Sequence, residues 1–209
     1  MPSKPGIIDY GGGNLQSVRN AVRALGHEPV IVQSEAGLDQ ASALIFPGQG
    51  AFGDCMAALH ERGLVGPLRE WIQKDRPFLG ICIGYQALFS GGQENPGVEG
   101  LNVFPGRVVR FPSAPGLKIP HMGWNQADLT DAGNPAWDGL GAAPFFYYVH
   151  SYYPEPDDPS LIAATTEYGN MRFAAAIQRG RLTATQFHPE KSQENGLRLM
   201  GNFLTAHLA

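Results

Sequence analysis

The sequence predicts a single α/β domain with a central mixed, mainly parallel sheet, helices on both faces and an antiparallel extension in its second half. Three observations lead there. Up to Ile81, short runs that are apolar at consecutive positions alternate with helical stretches, which is how strands covered on both faces read. Beyond that point strand-like segments with short turns replace the helices. No repeat, linker or low-complexity tract interrupts the 209 residues, so residues 1–209 are expected to form one domain.

The elements follow in order. Gly6-Ile7-Ile8-Asp9-Tyr10 is a short buried strand closed by Gly11-Gly12-Gly13-Asn14. Leu15, Val18, Val22 and Leu25 then recur at helical spacing, with Gly26 at the C-cap position. Pro29–Val32 and Ala43–Phe46 are further strands, the latter stopped by Pro47-Gly48. Asp54–Leu59 looks helical, as does Leu64–Lys74, and Pro77–Ile81 is a strand that runs straight into Cys82. Strand-like segments follow around Val103–Phe111, Phe145–Val149, Leu161–Thr165, Phe173–Gln178 and Leu182–Phe187. From Gln193, the spacing of Leu197, Met200, Phe203 and Leu204 closes the chain with an amphipathic helix.

Bulk properties remove whole classes of function. Apolar residues make up 43% and charged residues 16%, the balance of a soluble globular protein. The formal charge is −4 and no two Lys or Arg residues are adjacent, so the basic patch of a nucleic-acid binder is missing. No apolar stretch approaches a membrane span, and Met1-Pro2-Ser3-Lys4-Pro5-Gly6 lacks the apolar core of a signal peptide. Two cysteines, Cys55 and Cys82, make no disulfide framework, and the reducing cytoplasm is the expected compartment.

Chemistry concentrates at two places. Gly80-Ile81-Cys82-Ile83-Gly84 sits between an apolar strand and a helical segment, Tyr85–Phe89. A nucleophile on such a turn projects from the sheet, and flanking glycines remove Cβ atoms that would strike the neighbouring chain. A helix N-terminus behind Cys82 favours a thiolate, and the Ile83 N–H becomes an oxyanion donor. The same residues also fit a cysteine packed as an ordinary apolar side chain, which is the reading given to unframed Cys55. The second place is Phe187-His188-Pro189-Glu190 at the end of a strand. In an extended segment residues two apart point the same way, so Glu190 can hold one imidazole nitrogen of His188 while the other faces the thiol. His27, His60 and His207 lack that combination, and His150 lacks a carboxylate at usable spacing. No H-E-x-x-H or paired-cysteine spacing points to a metal. Gly11-Gly12-Gly13-Asn14 invites a dinucleotide reading, but Gln16 stands where the fingerprint needs a small residue, leaving a tight strand-to-helix turn.

At these two motifs the chain resembles the class I (triad) glutamine amidotransferases, and from end to end it is similar to one branch of them, the glutaminase subunits of imidazole glycerol phosphate synthase. The resemblance takes in Ile8–Asn14, Phe46-Pro47-Gly48-Gln49-Gly50, Gly80–Gln86, Ile119–Asn125, Tyr147–Tyr152 and Phe187–Ser192. It implies a flavodoxin-like fold and a triad of Cys82, His188 and Glu190 that hydrolyses glutamine to glutamate and ammonia. It implies no cofactor. The partner it implies is a (β/α)₈-barrel cyclase subunit that receives the ammonia to make imidazole glycerol phosphate and an aminoimidazole carboxamide ribotide. Laid onto matching positions, Gln86 contacts glutamine, the Ser151-Tyr152 backbone holds its carboxylate, and Gly48-Gln49-Gly50 gives the second oxyanion donor. Asn14, His121, Met122, Gly123, Trp124 and Asn125 would face the partner. Where this chain has Gln49 many relatives carry Val; the donor is a backbone N–H, so the chemistry is expected to survive. A cysteine peptidase on the same scaffold, a glutaminase serving another synthase, and a silent binding module remain open at this stage.

Overall fold

The structure, a computed structural model, describes residues 3–130 and 133–208. Met1 and Pro2 of the polar start, and the last residue of the expected domain, lie outside them. The chain opens with β1 (Pro5–Ile8), α1 (Leu15–Ala24), β2 (Val30–Val32), α2 (Glu35–Leu38) and β3 (Ala43–Phe46). Next come α3 (Phe52–Glu61), α4 (Val65–Gln73), β4 (Phe78–Ile81) and α5 (Ile83–Gln86). The second half contributes β5 (Gly106–Arg110), β6 (His121–Gln126), β7 (Asp128–Leu129), β8 (Phe145–His150) and β9 (Tyr152–Pro156). It ends with β10 (Ile162–Tyr168), β11 (Met171–Arg179), β12 (Leu182–Thr185) and α6 (Gln193–Leu208).

One sheet has the order β2-β1-β3-β4-β12-β11-β10-β7, parallel as far as β12 and antiparallel from there to β7. Every residue of β1, β3 and β4 is buried, as a parallel sheet with two covered faces requires. Side chains alternate between two cores. Ile8, Leu44, Phe46 and Phe78 join α3 and α4 through Phe52, Met56, Leu68 and Trp71. Ile7, Ile45, Leu79 and Ile81 point the other way, to α1 and α6 through Val18, Val22, Met200 and Phe203. Two antiparallel ribbons, β5–β9 and β6–β8, stand apart from the large sheet.

The expected α/β class is what the chain adopts. One local expectation changes. The elbow helix is a single turn, because the next N–H groups bond back only three residues, Leu88 N to Tyr85 O and Phe89 N to Gln86 O at 3.2 Å each, after which Ala87 O accepts from Leu101 N at 2.7 Å and Leu88 O from Val103 N at 2.8 Å. The loop 101–104 thereby caps the helix and turns the chain away.

Candidate active site

Two strands far apart in sequence bring Cys82, His188 and Glu190 together. β12 pairs in parallel with β4, with Ala184 opposite Gly80 and Thr185 opposite Ile81. The Cys82 N–H closes the ladder onto Thr185 O at 2.8 Å. Cys82 thus leaves the C-terminal edge of one strand, and Gln186-Phe187-His188 leaves the same edge of its neighbour, about 4.8 Å away.

Cys82 has φ 54° and ψ −103°, a left-handed backbone rarely adopted outside glycine. The glycines around it make that posture fit. A Cβ on Gly84 would sit 2.0 Å from Phe46 O, and one on Gly80 2.8 Å from Gly84 O. The Gly48-Gln49-Gly50 loop approaches just as closely, since a Cβ on Gly48 would lie 2.6 Å from Ile83 Cβ. The Tyr10 hydroxyl donates to Gln49 O at 3.2 Å and ties this loop to the turn after β1.

His188 and Glu190 are both almost fully buried, with Nδ1 of the imidazole 2.9 Å from Glu190 Oε1. A carboxylate only accepts, so Nδ1 carries the proton and Nε2 is turned to the sulfur side. Nε2 has no hydrogen-bond partner of its own. Burial opposes a charged ring here. The neighbouring Cys82 sulfur, followed by Glu190, overcomes it and raises His188 to about 10. The arrangement therefore favours a charged imidazolium beside the Cys82 sulfur. Ser192 fixes the segment, its hydroxyl donating to His188 O at 2.6 Å and accepting from Tyr147 N at 2.9 Å.

The sulfur opens on a cavity of about 400 Å³. Gln49, Gly50, Ile83, Gln86, Ser151 and Tyr152, all expected to hold substrate or oxyanion, line it. Gly48 lies behind, packed on Ile83. The cavity also holds two charged residues that the sequence did not flag, Glu94 and Lys191. Glu94 sits in a loop with no patterned signal, and its Oε2 accepts the Phe52 N–H at 2.8 Å. Among the described residues no group of three His, Cys, Asp or Glu side chains could hold a metal ion.

The residues expected at a partner surface divide. Met122 is 62% and Trp124 47% exposed on β6, joined by Phe145 of β8 at 49%. Asn14, Gly123 and Asn125 are half-buried. His121 is 3% exposed, because strand alternation points it inward. That side chain cannot meet a partner, which corrects its expected interface role. It stacks between Tyr148 and Tyr168, with ring centroids at 4.8 and 4.0 Å, and lies 3.1 Å from His150.

Burial pushes His121 down to about 4 and His150 to about 3, the latter against a smaller opposing pull from the Tyr152 carbonyl. Unfolded histidines titrate near 6.5, so in more acid solution the unfolded chain binds two protons that the fold refuses. The stabilisation is complete above pH ~6.5 and is lost as pH falls toward those lower values. The slope expected from this pair between pH 6 and 5, where most carboxylates stay ionised, is about 2.4 kcal/mol of unfolding free energy per pH unit. Urea unfolding at a series of pH values measures it, and a flat profile would mean that the pair is charged inside the fold.

Comparison with known proteins agrees along the whole chain. The family described as "Glutamine amidotransferase class-I" matches residues 6–206. The chain is similar to the "Imidazole glycerol phosphate synthase subunit HisH" of Synechococcus elongatus, 46% identical over 98% of this chain and 95% of that one. The protein of the same name from Thermosynechococcus vestitus is 49% identical, over 95% and 94% of the two chains. The fold is shared with solved structures of low identity. One, titled "Structure of PurLQS from Thermotoga maritima", has a TM-score of 0.76 at 17% identity, covering 99% of each chain. Another, titled "Crystal structure of glutamine amidotransferase", has a TM-score of 0.71 at 22% identity, covering 96% of this chain and 97% of that one.

Proposed function

The chain belongs to the class-I glutamine amidotransferases, within the family of imidazole glycerol phosphate synthase HisH subunits, and from that premise we propose how its own residues carry out and direct glutamine hydrolysis. The enzyme is a glutaminase. The observation that carries the residue assignment is the buried His188–Glu190 pair at the strand edge beside Cys82, opening on a cavity with one carboxylate and one ammonium.

Substrate glutamine enters as a zwitterion. Among the described residues Glu94 is the one carboxylate lining the cavity, and it takes the α-ammonium group, while the Ser151-Tyr152 backbone and Lys191 take the α-carboxylate. Gln86 and the elbow then face the side-chain amide. His188 holds the Cys82 proton, and the thiolate adds to the amide carbon to give a tetrahedral oxyanion. The Ile83 N–H, a first-turn donor with no partner inside its helix, and an N–H of the Gly48–Gly50 loop receive that charge. Each such donor is worth about 3 kcal/mol to the transition state. The imidazolium gives its proton to the departing nitrogen, ammonia leaves, and a thioester remains. Water deprotonated by His188 then cleaves the thioester to glutamate and regenerates the thiol.

Ammonia released into bulk water is protonated and no longer a nucleophile, so hydrolysis is useful only beside an acceptor site. The exposed Met122, Trp124 and Phe145 form an apolar patch of the kind protein partners bury. We assign this patch to a (β/α)₈-barrel cyclase subunit, which would use the ammonia to form imidazole glycerol phosphate and the carboxamide ribotide. A thiol nucleophile of this kind suits the reducing cytoplasm.

The test is glutamate release from glutamine by the purified chain, alone and with the cyclase and its ribotide ligand. Glutamate production that rises when the partner is present supports the assignment. Glutamate that no cyclase stimulates points to another synthase, and none under either condition removes the glutaminase reading.

A further inference from the structure

The chemistry above leaves one buried polar residue at the nucleophile without a role. Gln186, between β12 and His188, is wholly buried and takes no part in lining the substrate cavity. Its Nε2 lies 3.5 Å from Cys82 Sγ, and its Oε1 lies 3.1 Å from Gln86 Nε2.

A side-chain amide can be turned end for end, so its direction has to be derived. The Tyr152 carbonyl settles it, because a carbonyl only accepts. Gln86 reaches Tyr152 O at 3.1 Å and must present its NH₂ group there. The same nitrogen gives its second hydrogen to Gln186, which therefore turns Oε1 to Gln86 and has only its NH₂ left for the sulfur. Beyond the carbonyl the logic continues outward. His150 Nδ1–H donates to Tyr152 O at 2.8 Å, so His150 Nε2 is an acceptor and takes the His121 Nδ1–H at 3.1 Å. His121 Nε2 then accepts from Asn125 Nδ2 at 3.3 Å, which spends its other hydrogen on Glu167 O at 2.8 Å. The two runs meet head to head at Tyr152 O, which accepts from both His150 and Gln86, so that carbonyl alone sets the direction of Gln86 and Gln186.

We propose that Gln186 is a positioning residue for the Cys82 thiolate: Tyr152 O orients Gln86, Gln86 orients Gln186, and Gln186 thereby aims its N–H at the sulfur. A hydrogen bond to an ionised acceptor is roughly twice as strong as one to a neutral group, so a donor locked in place favours the thiolate over the thiol. It also holds the sulfur steady when His188 turns its proton toward the departing nitrogen. Only the reaction served rests on the glutaminase reading; the contact with the sulfur stands without it.

The experiment is alkylation of Cys82 by iodoacetamide at pH 7 in the absence of glutamine. The thiolate sulfur displaces iodide to form a carbon–sulfur bond, and peptide mass mapping separates Cys82 from Cys55. Gln186→Met keeps the volume and removes both polar ends. Gln186→Asn keeps the amide but withdraws it from the sulfur by one methylene, and serves if the first variant does not fold. Either folded variant should alkylate about tenfold more slowly or worse, with kcat for glutamate release falling in parallel. KM should change less than about twofold, because Gln86 keeps its bond to Tyr152 O. Alkylation within twofold of the parent chain, or a raised KM at unchanged alkylation, overturns the proposal. Because this assay uses no glutamine, a chain that alkylates normally yet releases no glutamate would fail the glutaminase reading and leave the judgement on Gln186 intact.

Discussion

Cys82→Ala should lower glutamate release by about 10⁶-fold, the scale on which loss of a covalent nucleophile removes the function of its whole catalytic group. The fold should hardly notice. The side chain is small, and its one hydrogen bond is the 3.5 Å contact from Gln186. Alanine inherits the same left-handed backbone at φ 54°, so the strain is carried over without change. Thermal unfolding should stay within about 1 kcal/mol of the parent chain. Cys55 offers no detour, being 1% exposed and packed with Phe52 and Met56 in the core on the other side of the sheet from Ile81. Residual turnover above a few parts per million would mean that the sulfur is not the nucleophile.

Glu190→Gln should cost about 10⁴-fold in kcat with KM nearly unchanged, although the two side chains have the same shape. Glu190 accepts from Nδ1 and so leaves Nε2 free to take the thiol proton. A glutamine can present its NH₂ to Nδ1, which moves the ring proton to Nε2 and leaves no basic nitrogen facing the sulfur. The imidazolium also loses the buried carboxylate that helps raise it to about 10. Stopped-flow proton uptake with glutamate assays would separate the two contributions. Activity within tenfold of the parent chain would show that packing alone orients His188.

The grouping of Cys82 with His188 and Glu190 was legible because each half of it is local. The glycines at 80 and 84 announce the elbow, and the structure supplies the colliding atoms that explain them, Phe46 O and Gly84 O. His188 and Glu190 lie two residues apart, so their contact follows from backbone geometry alone. The parallel half of the sheet was legible for a similar reason, its strands being buried at every position. What the sequence did not disclose depends on distant partners. Nothing in Leu182–Thr185 says that it lies beside β4 and not at an edge, yet that placement builds the site. His121 looked like interface material until its strand partner fixed which way it points. Gln186 did carry a faint signal, a long polar side chain between residues that are all buried, which has to find partners inside. Glu94 carried none.

The pairing of β4 with β12 also bears on how such a chain can change over time. The separation of nucleophile and base is set by one rung of a ladder, Cys82 N to Thr185 O, and not by the length of chain between them. Everything from Phe89 to Arg181 is an excursion that departs from one strand and returns on its neighbour. Residues gained or lost in its exposed turns, such as Ser113–Leu117, leave that rung untouched. Catalytic spacing and outward shape are therefore inherited as separate properties. A lineage can remodel the surface it offers to an acceptor enzyme while the hydrolytic centre stays as it was.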